Sequence, residues 1–162
     1  MRSAAYLLGV AVMFCGMVAS AAADQEIPLN KVPRKVLAVV KARYPGAELQ
    51  SASKVVEDGE TYFSITFKHK DDTLEVTLTP QGEITEIAKE IEVAALPRVV
   101  KDAVEKKFPK CKIEDASEVI DVSENNKKSF FVEIETAEGK TYEVTLSPRG
   151  KILKQAAKKK DK

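Results

Sequence analysis

LEVTLTPQGEI occupies residues 74–84, and YEVTLSPRGKI occupies residues 142–152. In both strings apolar residues alternate with polar ones: Leu74, Val76 and Leu78 against Glu75, Thr77 and Thr79, then Tyr142, Val144 and Leu146. A period of two marks an antiparallel strand with one buried and one polar face. Each string continues into Thr/Ser-Pro-x-Gly, which suits a tight β-turn. A further strand is expected to begin near Ile84 and Ile152.

A string that occurs twice raises the question of whether the whole unit does. VPRKVLAVVKARYPGAELQSASKV (32–55) aligns without a gap with LPRVVKDAVEKKFPKCKIEDASEV (96–119). The second copy is longer only where EDGETY (57–62) becomes DVSENNKKS (121–129) and KHKDDT (68–73) becomes ETAEGKT (135–141). Both places read as hairpin tips, where a duplicated unit tolerates insertion.

Val32, Val36, Val40 and Tyr44 recur every four residues, as do Leu96, Val100, Val104 and Phe108. That spacing lays an apolar stripe along one face of a helix. Pro33 and Pro97 fit the first helical turn, and Pro45 and Pro109 close each helix by restricting the aromatic before them. Period-two alternation follows, with Phe63, Ile65 and Phe67 matched by Phe130, Val132 and Ile134. Segments 47–57 and 111–122 supply a less regular first strand.

The fold class is therefore α+β, built from tandem duplicated α-β-β-β-β units. Each is expected to be a four-stranded antiparallel sheet with a helix packed on one face. A unit this small has a core supplying about 3–5 kcal/mol, so the two are expected to dock.

The chain opens with a positive Met1-Arg2, an uncharged run over residues 4–18 and the small residues ASAAAD at 19–24. This is the pattern of a secretory signal peptide cut after Ala23. The expected organisation is a signal peptide at 1–23, repeats at 24–91 and 92–157, and a basic tail at 158–162. Export to the periplasm or the extracellular space follows, with no membrane span after cleavage. Cys111 would then be the sole cysteine, expected to be a small buried apolar residue. Lysines and arginines concentrate after Ser147, leaving residues 24–148 net acidic. That balance argues against nucleic acid as a partner.

No catalytic constellation is present. The single histidine, His69, lies in KHKDD (68–72), whose flanking lysines oppose a cation, and is read as part of a solvated turn with no metal site. The acidic pairs Glu57-Asp58 and Glu114-Asp115 lack a partner pattern for general acid–base work, and the few glycines form no phosphate loop. No cofactor and no enzymatic activity are expected.

The pattern running from Leu96-Pro97 (and Val32-Pro33) through (Tyr/Phe)-Pro to (Leu/Tyr)-Glu-Val-Thr-Leu-(Thr/Ser)-Pro-x-Gly resembles the PepSY-like domains of secreted bacterial proteins, similar to repeats of the beta-lactamase inhibitory protein fold. It covers residues 27–156 in two copies. The resemblance implies a secreted, non-catalytic domain that binds or restrains another protein. PepSY domains accompany inhibitory pro-regions of peptidases, and the inhibitory protein grips its enzyme on a concave sheet face. That inhibitor's disulfides have no counterpart here, and no peptidase domain follows, so any inhibition would act in trans.

If the helices cover one face of each sheet, the other carries the candidate partner-binding residues Tyr62, Thr66, Thr77, Phe131 and Thr145. Phe130 and Phe131 cannot both face the helix, because successive side chains on a strand point to opposite sides. Exposed aromatics on a polar sheet are candidate anchors. The expected partner is another secreted or envelope protein, possible inhibition of which is the sharper form of the reading. The alternative is an envelope sensor holding a small ligand at the joint between the repeats, around Ile87, Ile91 and Val93.

Overall fold

The computed structural model describes residues 25–57 and 59–158. The expected signal peptide at 1–23 and the last four residues of the basic tail lie outside the described residues. The chain divides into two compact units, residues 1–87 and 88–162. Nine strands and two α-helices occur among the described residues.

In the first unit a two-residue strand, β1 (Gln25–Glu26), is followed by a single 3-10 turn at Leu29–Lys31 and helix α1 (Arg34–Arg43). Strands β2 (Glu48–Glu57), β3 (Glu60–His69), β4 (Asp72–Leu78) and β5 (Ile84–Glu90) come next. They lie side by side in chain order, with β1 on the free edge of β2 through Gln25↔Lys54 and Glu26↔Ser53. This short edge strand is an addition to the four expected, and nothing in its sequence alternates over enough residues to announce it. Strand β5 carries the chain out of the first unit, which ends at Ile87.

The second unit repeats the plan. A 3-10 turn at Val93–Ala95 leads to α2 (Arg98–Lys107), then β6 (Lys112–Asp121), β7 (Lys127–Glu135), β8 (Thr141–Leu146) and β9 (Ile152–Ala157) in adjacent order.

The four-residue stripes do pack as helix-on-sheet cores. Val32, Val36 and Val40 are buried with Ile65, Phe67, Val76 and Leu78. Leu96, Val100 and Val104 are buried with Phe130, Val132, Ile134, Val144 and Leu146. Each helix ends where the proline predicts: Tyr44 N–H donates to Val40 O at 2.9 Å, and Phe108 N–H to Val104 O at 2.8 Å. The closing aromatic then folds over the sheet, Tyr44 against Phe67 at 4.9 Å and Phe108 against Tyr142 at 5.3 Å between ring centroids. Large and small residues have exchanged places across the strand pair: Phe67 faces Leu74, whereas Ile134 faces Tyr142. The filled volume is kept while the chemistry moves to the neighbouring strand, the kind of change cores accommodate best. Cys111 is a free thiol, half-buried rather than fully buried, beside the second core.

The irregular first strand of each copy has a local cause. Between Leu49 and Ser51, and again between Ile113 and Asp115, the ladder shifts by one residue. A bulge sets two residues against one and resets which face the following side chains occupy. The Pro-x-Gly turns also match. Gly82 N–H donates to Thr79 O and Gly150 N–H to Ser147 O, both at 2.9 Å, while each hydroxyl accepts the amide of residue 83 or 151. Gly150 (φ +76) lies so close to α2 that a Cβ there would stand 2.6 Å from the carbonyl oxygen of Val99.

Candidate functional site

The registers decide which side chains share the sheet face turned away from each helix. In the first unit the rows are Ser51–Thr66–Glu75 and Ser53–Ser64–Thr77, with Val55 opposite Tyr62 beyond them. In the second they are Asp115–Glu133–Glu143 and Ser117–Phe131–Thr145, with Val119 opposite Ser129. Alternation across β7 puts Phe130 in the helix-packed core and Phe131 on the other face.

The five expected partner-binding residues fall into two groups, Tyr62, Thr66 and Thr77 in the first unit and Phe131 and Thr145 in the second. Tyr62 is half-buried and its hydroxyl donates to Glu60 at 2.7 Å. Thr66 is half-buried, with its hydroxyl 3.4 Å from Glu75 Oε2. Thr145 is half-buried, directly across from Phe131. Two of the five do not meet the expectation of exposure: Thr77 is 1% exposed and Phe131 is 7% exposed. Phe131 is thus not an open aromatic anchor.

Burial on this face has been handled differently in the two copies. The hydroxyls of Ser64 and Thr77 are 2.8 Å apart, so each buried oxygen has a partner. At the position matching Ser64 the second unit has Phe131, which offers no donor or acceptor. The Ser117 hydroxyl, wholly buried across from that ring, is left without a hydrogen-bond partner among the described residues.

The neighbouring row differs in charge. Asp115, Glu133 and Glu143 stand in line across β6, β7 and β8, where the first unit has Ser51, Thr66 and Glu75. Lys158, just past β9, lays its ammonium 2.6 Å from Glu133 Oε2, and its backbone N–H donates to Thr141 O at 2.9 Å. Burial pushes the Asp115 carboxyl above its ordinary range, and the charges of Glu133 and Glu90 add to that, against the pull of Lys158. Burial works against the Lys158 ammonium, yet the hydrogen bond and charge of Glu133, with Glu143 and Asp115, hold its pKa above the ordinary value.

Period-two alternation along the sequence already puts Glu133 and Glu143 on this face; what sequence reasoning missed is Asp115, which reads as the neighbour of Glu114, not of Glu133. The available signal was the irregular alternation after Ile113, the trace of the bulge. Elsewhere, the imidazole of His69 packs edge-on against Tyr44, 5.6 Å between ring centroids. Among the described residues no group of three or more His, Cys, Asp or Glu is arranged to hold a metal ion. No helix among them is long and apolar enough to cross a membrane.

A helix packed on one face of an antiparallel meander, twice over, defines a class of small α+β proteins. The sequence matches the family described as "Putative beta-lactamase-inhibitor-like, PepSY-like" over residues 20–86 and 61–154, and the chain belongs to that family. No curated protein matches it.

Among solved structures it is similar to one titled as a "putative periplasmic" protein from Bacteroides eggerthii, at 17% identity over 78% of this chain and 88% of that one, with a TM-score of 0.62. A DUF2874 family protein from Bacteroides uniformis superposes equally well, at 18% identity, 77% and 88% coverage and a TM-score of 0.62. A BLIP-like protein (resembling the beta-lactamase inhibitory protein) from Bacteroides fragilis gives 18% identity, 76% and 84% coverage and a TM-score of 0.57. At these identities the likeness is one of fold.

Proposed function

We propose that this protein is an exported, non-catalytic binding module that engages another secreted or envelope protein through the sheet face turned away from its helices. The observation that carries the reading is that face in the second unit, where a line of carboxylates stands beside a buried hydroxyl without a partner among the described residues. Three carboxylates in line across three strands favour positive charge, and Lys158 already brings one ammonium to Glu133. Membership of a family described as inhibitor-like supports a protein as the partner, and an enzyme restrained by binding is the sharper form of the reading. The relatives titled as periplasmic support the same destination for this chain, as does the signal-peptide pattern of residues 1–23.

The test is affinity capture from envelope and culture-fluid extracts with residues 24–162 as bait. A Thr66→Arg/Thr145→Arg variant of equal thermal stability serves as control, because both positions are half-buried on the proposed face. A protein retained by the wild type and lost by the variant is the expected result, and its activity in the bound state then decides on inhibition. Identical recovery by both baits would discard the sheet face as the binding surface.

A further inference from the structure

We propose that the outward face of α1 attaches the protein to a membrane surface through anionic lipid headgroups. The proposal uses the exported destination given above but not the sheet face. Helix α1 packs on the opposite side of its sheet, so the first unit can rest on a membrane and leave its other face clear for a partner.

From Ile27 to Ala47 the chain carries Lys31, Arg34, Lys35, Lys41 and Arg43 and no Asp or Glu. All five cations are exposed, and among the described residues none of them has an ion pair. Val36 and Val40 are the buried residues of α1 and fix its inward side. At about 100° per residue, Lys31, Arg34, Lys35, Ala38, Lys41 and Ala42 share the opposite side. Four cations therefore surround two alanines on one face, with about 10 Å of helix axis between Arg34 and Lys41.

Nothing in the fold requires this charge. Helix α2 fills the same place in the second unit, and its matching positions are Ala95, Arg98, Val99, Asp102, Glu105 and Lys106. There two cations stand against two anions, and Arg98 pairs with Asp102 at 3.7 Å. Helix α1 also has Arg34 and Lys35 in its first turn, with no acidic residue there and Lys31 just before it. Cations at that end oppose the helix dipole, so the arrangement costs local stability until an anionic surface meets it.

The kind of anion follows from the shape. A helix face is convex, whereas small ligands are held in clefts. Protein interfaces are depleted in lysine and anchored by large apolar or aromatic side chains, and this face has only Ala38 and Ala42 between its cations. A broad anionic surface needs neither cleft nor anchor. Each Lys or Arg near lipid headgroups adds its own increment of attraction, and long basic side chains reach past small alanines to make it.

The experiment is co-sedimentation of residues 24–162 with vesicles of phosphatidylcholine alone and of phosphatidylcholine with one-third phosphatidylglycerol, at low and at physiological salt. Binding is expected to the anionic vesicles only, and to fall as salt rises. Arg34→Gln/Lys35→Gln/Lys41→Gln lowers the partition coefficient on the order of 100-fold, about five-fold for each cation. Lys106→Gln/Lys107→Gln/Lys110→Gln removes the same charge from exposed positions of the second unit and leaves binding unchanged. Residues 24–158, without the final lysines, bind as the longer chain does. Thermal unfolding of each variant establishes that folded proteins are compared.

Equal binding by the two triple variants, equal binding to neutral vesicles, or loss of binding on removal of residues 159–162 would overturn the proposal. So would release from the vesicles by inorganic phosphate at matched ionic strength, which reassigns the face to a free anion. Binding of fluorescein-labelled octaglutamate in place of vesicles would reassign it to an acidic protein segment. The result is independent of the capture experiment, because Thr66→Arg and Thr145→Arg lie on the other face of the sheet. A partner captured there by a protein that ignores vesicles would leave the binding reading standing and remove this one.

Discussion

On β3 and β4 the outward hydroxyls of Ser64 and Thr77 meet at 2.8 Å, while the matching places on β7 and β8 hold Phe131 and Thr145, and Ser117 beside them has no hydrogen-bond partner among the described residues. One row away, Ser51, Thr66 and Glu75 of the first unit become Asp115, Glu133 and Glu143 of the second. The faces that meet the helices differ far less: valines stand at the same helical positions, and a large residue on one strand has traded places with a large residue on its neighbour. The core is constrained by volume and by the exclusion of water, so both copies keep it. The other face is free to change chemistry, because a polar side chain there can satisfy itself in more than one way. A chain that has diverged in this manner keeps its scaffold twice and changes the chemistry of the other face between the copies.

The comparison can be broken hardest at the shared core. Phe67→Ala, at a position wholly buried under Tyr44, should cost about 3–5 kcal/mol, and Ile134→Ala at the matching position about 2–5 kcal/mol, both read from urea unfolding. Equal losses would mean that the two cores are equally well packed despite the exchange of large and small residues.

The turns should separate the copies next. Gly150→Ala forces a Cβ to within 2.6 Å of the Val99 carbonyl oxygen in a left-handed backbone conformation, for about 2–3 kcal/mol. Gly82→Ala has the same backbone conformation, but its Cβ comes nearest to the side-chain methyl of Val39 at 3.0 Å, with the Lys35 carbonyl oxygen farther off at 3.7 Å, and should cost about 1–2 kcal/mol. Thermal melts of the two variants measure the gap.

A finer contrast lies in the hydroxyls. Ser64→Ala strands the Thr77 hydroxyl in a buried row and should destabilise by about 1–2 kcal/mol, whereas Ser117→Ala removes an oxygen without a partner among the described residues and should be neutral or slightly stabilising. A substantial loss from Ser117→Ala would show that its hydroxyl is satisfied in solution.

The smallest expected effect is one of pH. The Asp115 carboxyl is raised by burial and by Glu133 and Glu90, so the folded state favours its protonated form. The resulting stabilisation is present in acid, below the ordinary value of 3.8, and is lost as pH rises through the folded value. Asp115→Asn should therefore be more stable than wild type at neutral pH, with the two converging in acid. The same substitution at matched salt should leave a lower pKa at Lys158, followed by NMR titration, because Asp115 contributes to holding it up.

Much of the scaffold was legible because it is written in local periods. A four-residue apolar spacing requires one helical face, a two-residue alternation requires one strand face, and Pro-x-Gly needs only its own residues to make the turn. These rules place Val36, Val100, Phe67 and Ile134 in cores and put Phe130 and Phe131 on opposite sides, as they are found. The site was less legible. Exposure was inferred for Thr77 and Phe131 from the absence of a helix above them, but they are 1% and 7% exposed, and burial on a sheet face is set by the assembled structure rather than by any local period.

What the sequence determined alone was the duplicated plan of a helix followed by strands, because each step depends on residues a few positions apart. Only the tertiary structure decided that Asp115 stands in line with Glu133 and Glu143 and that Lys158 reaches them. A bulge after Ile113 resets the face of one strand, and cross-strand register joins residues distant in the chain, neither of which any local period encodes.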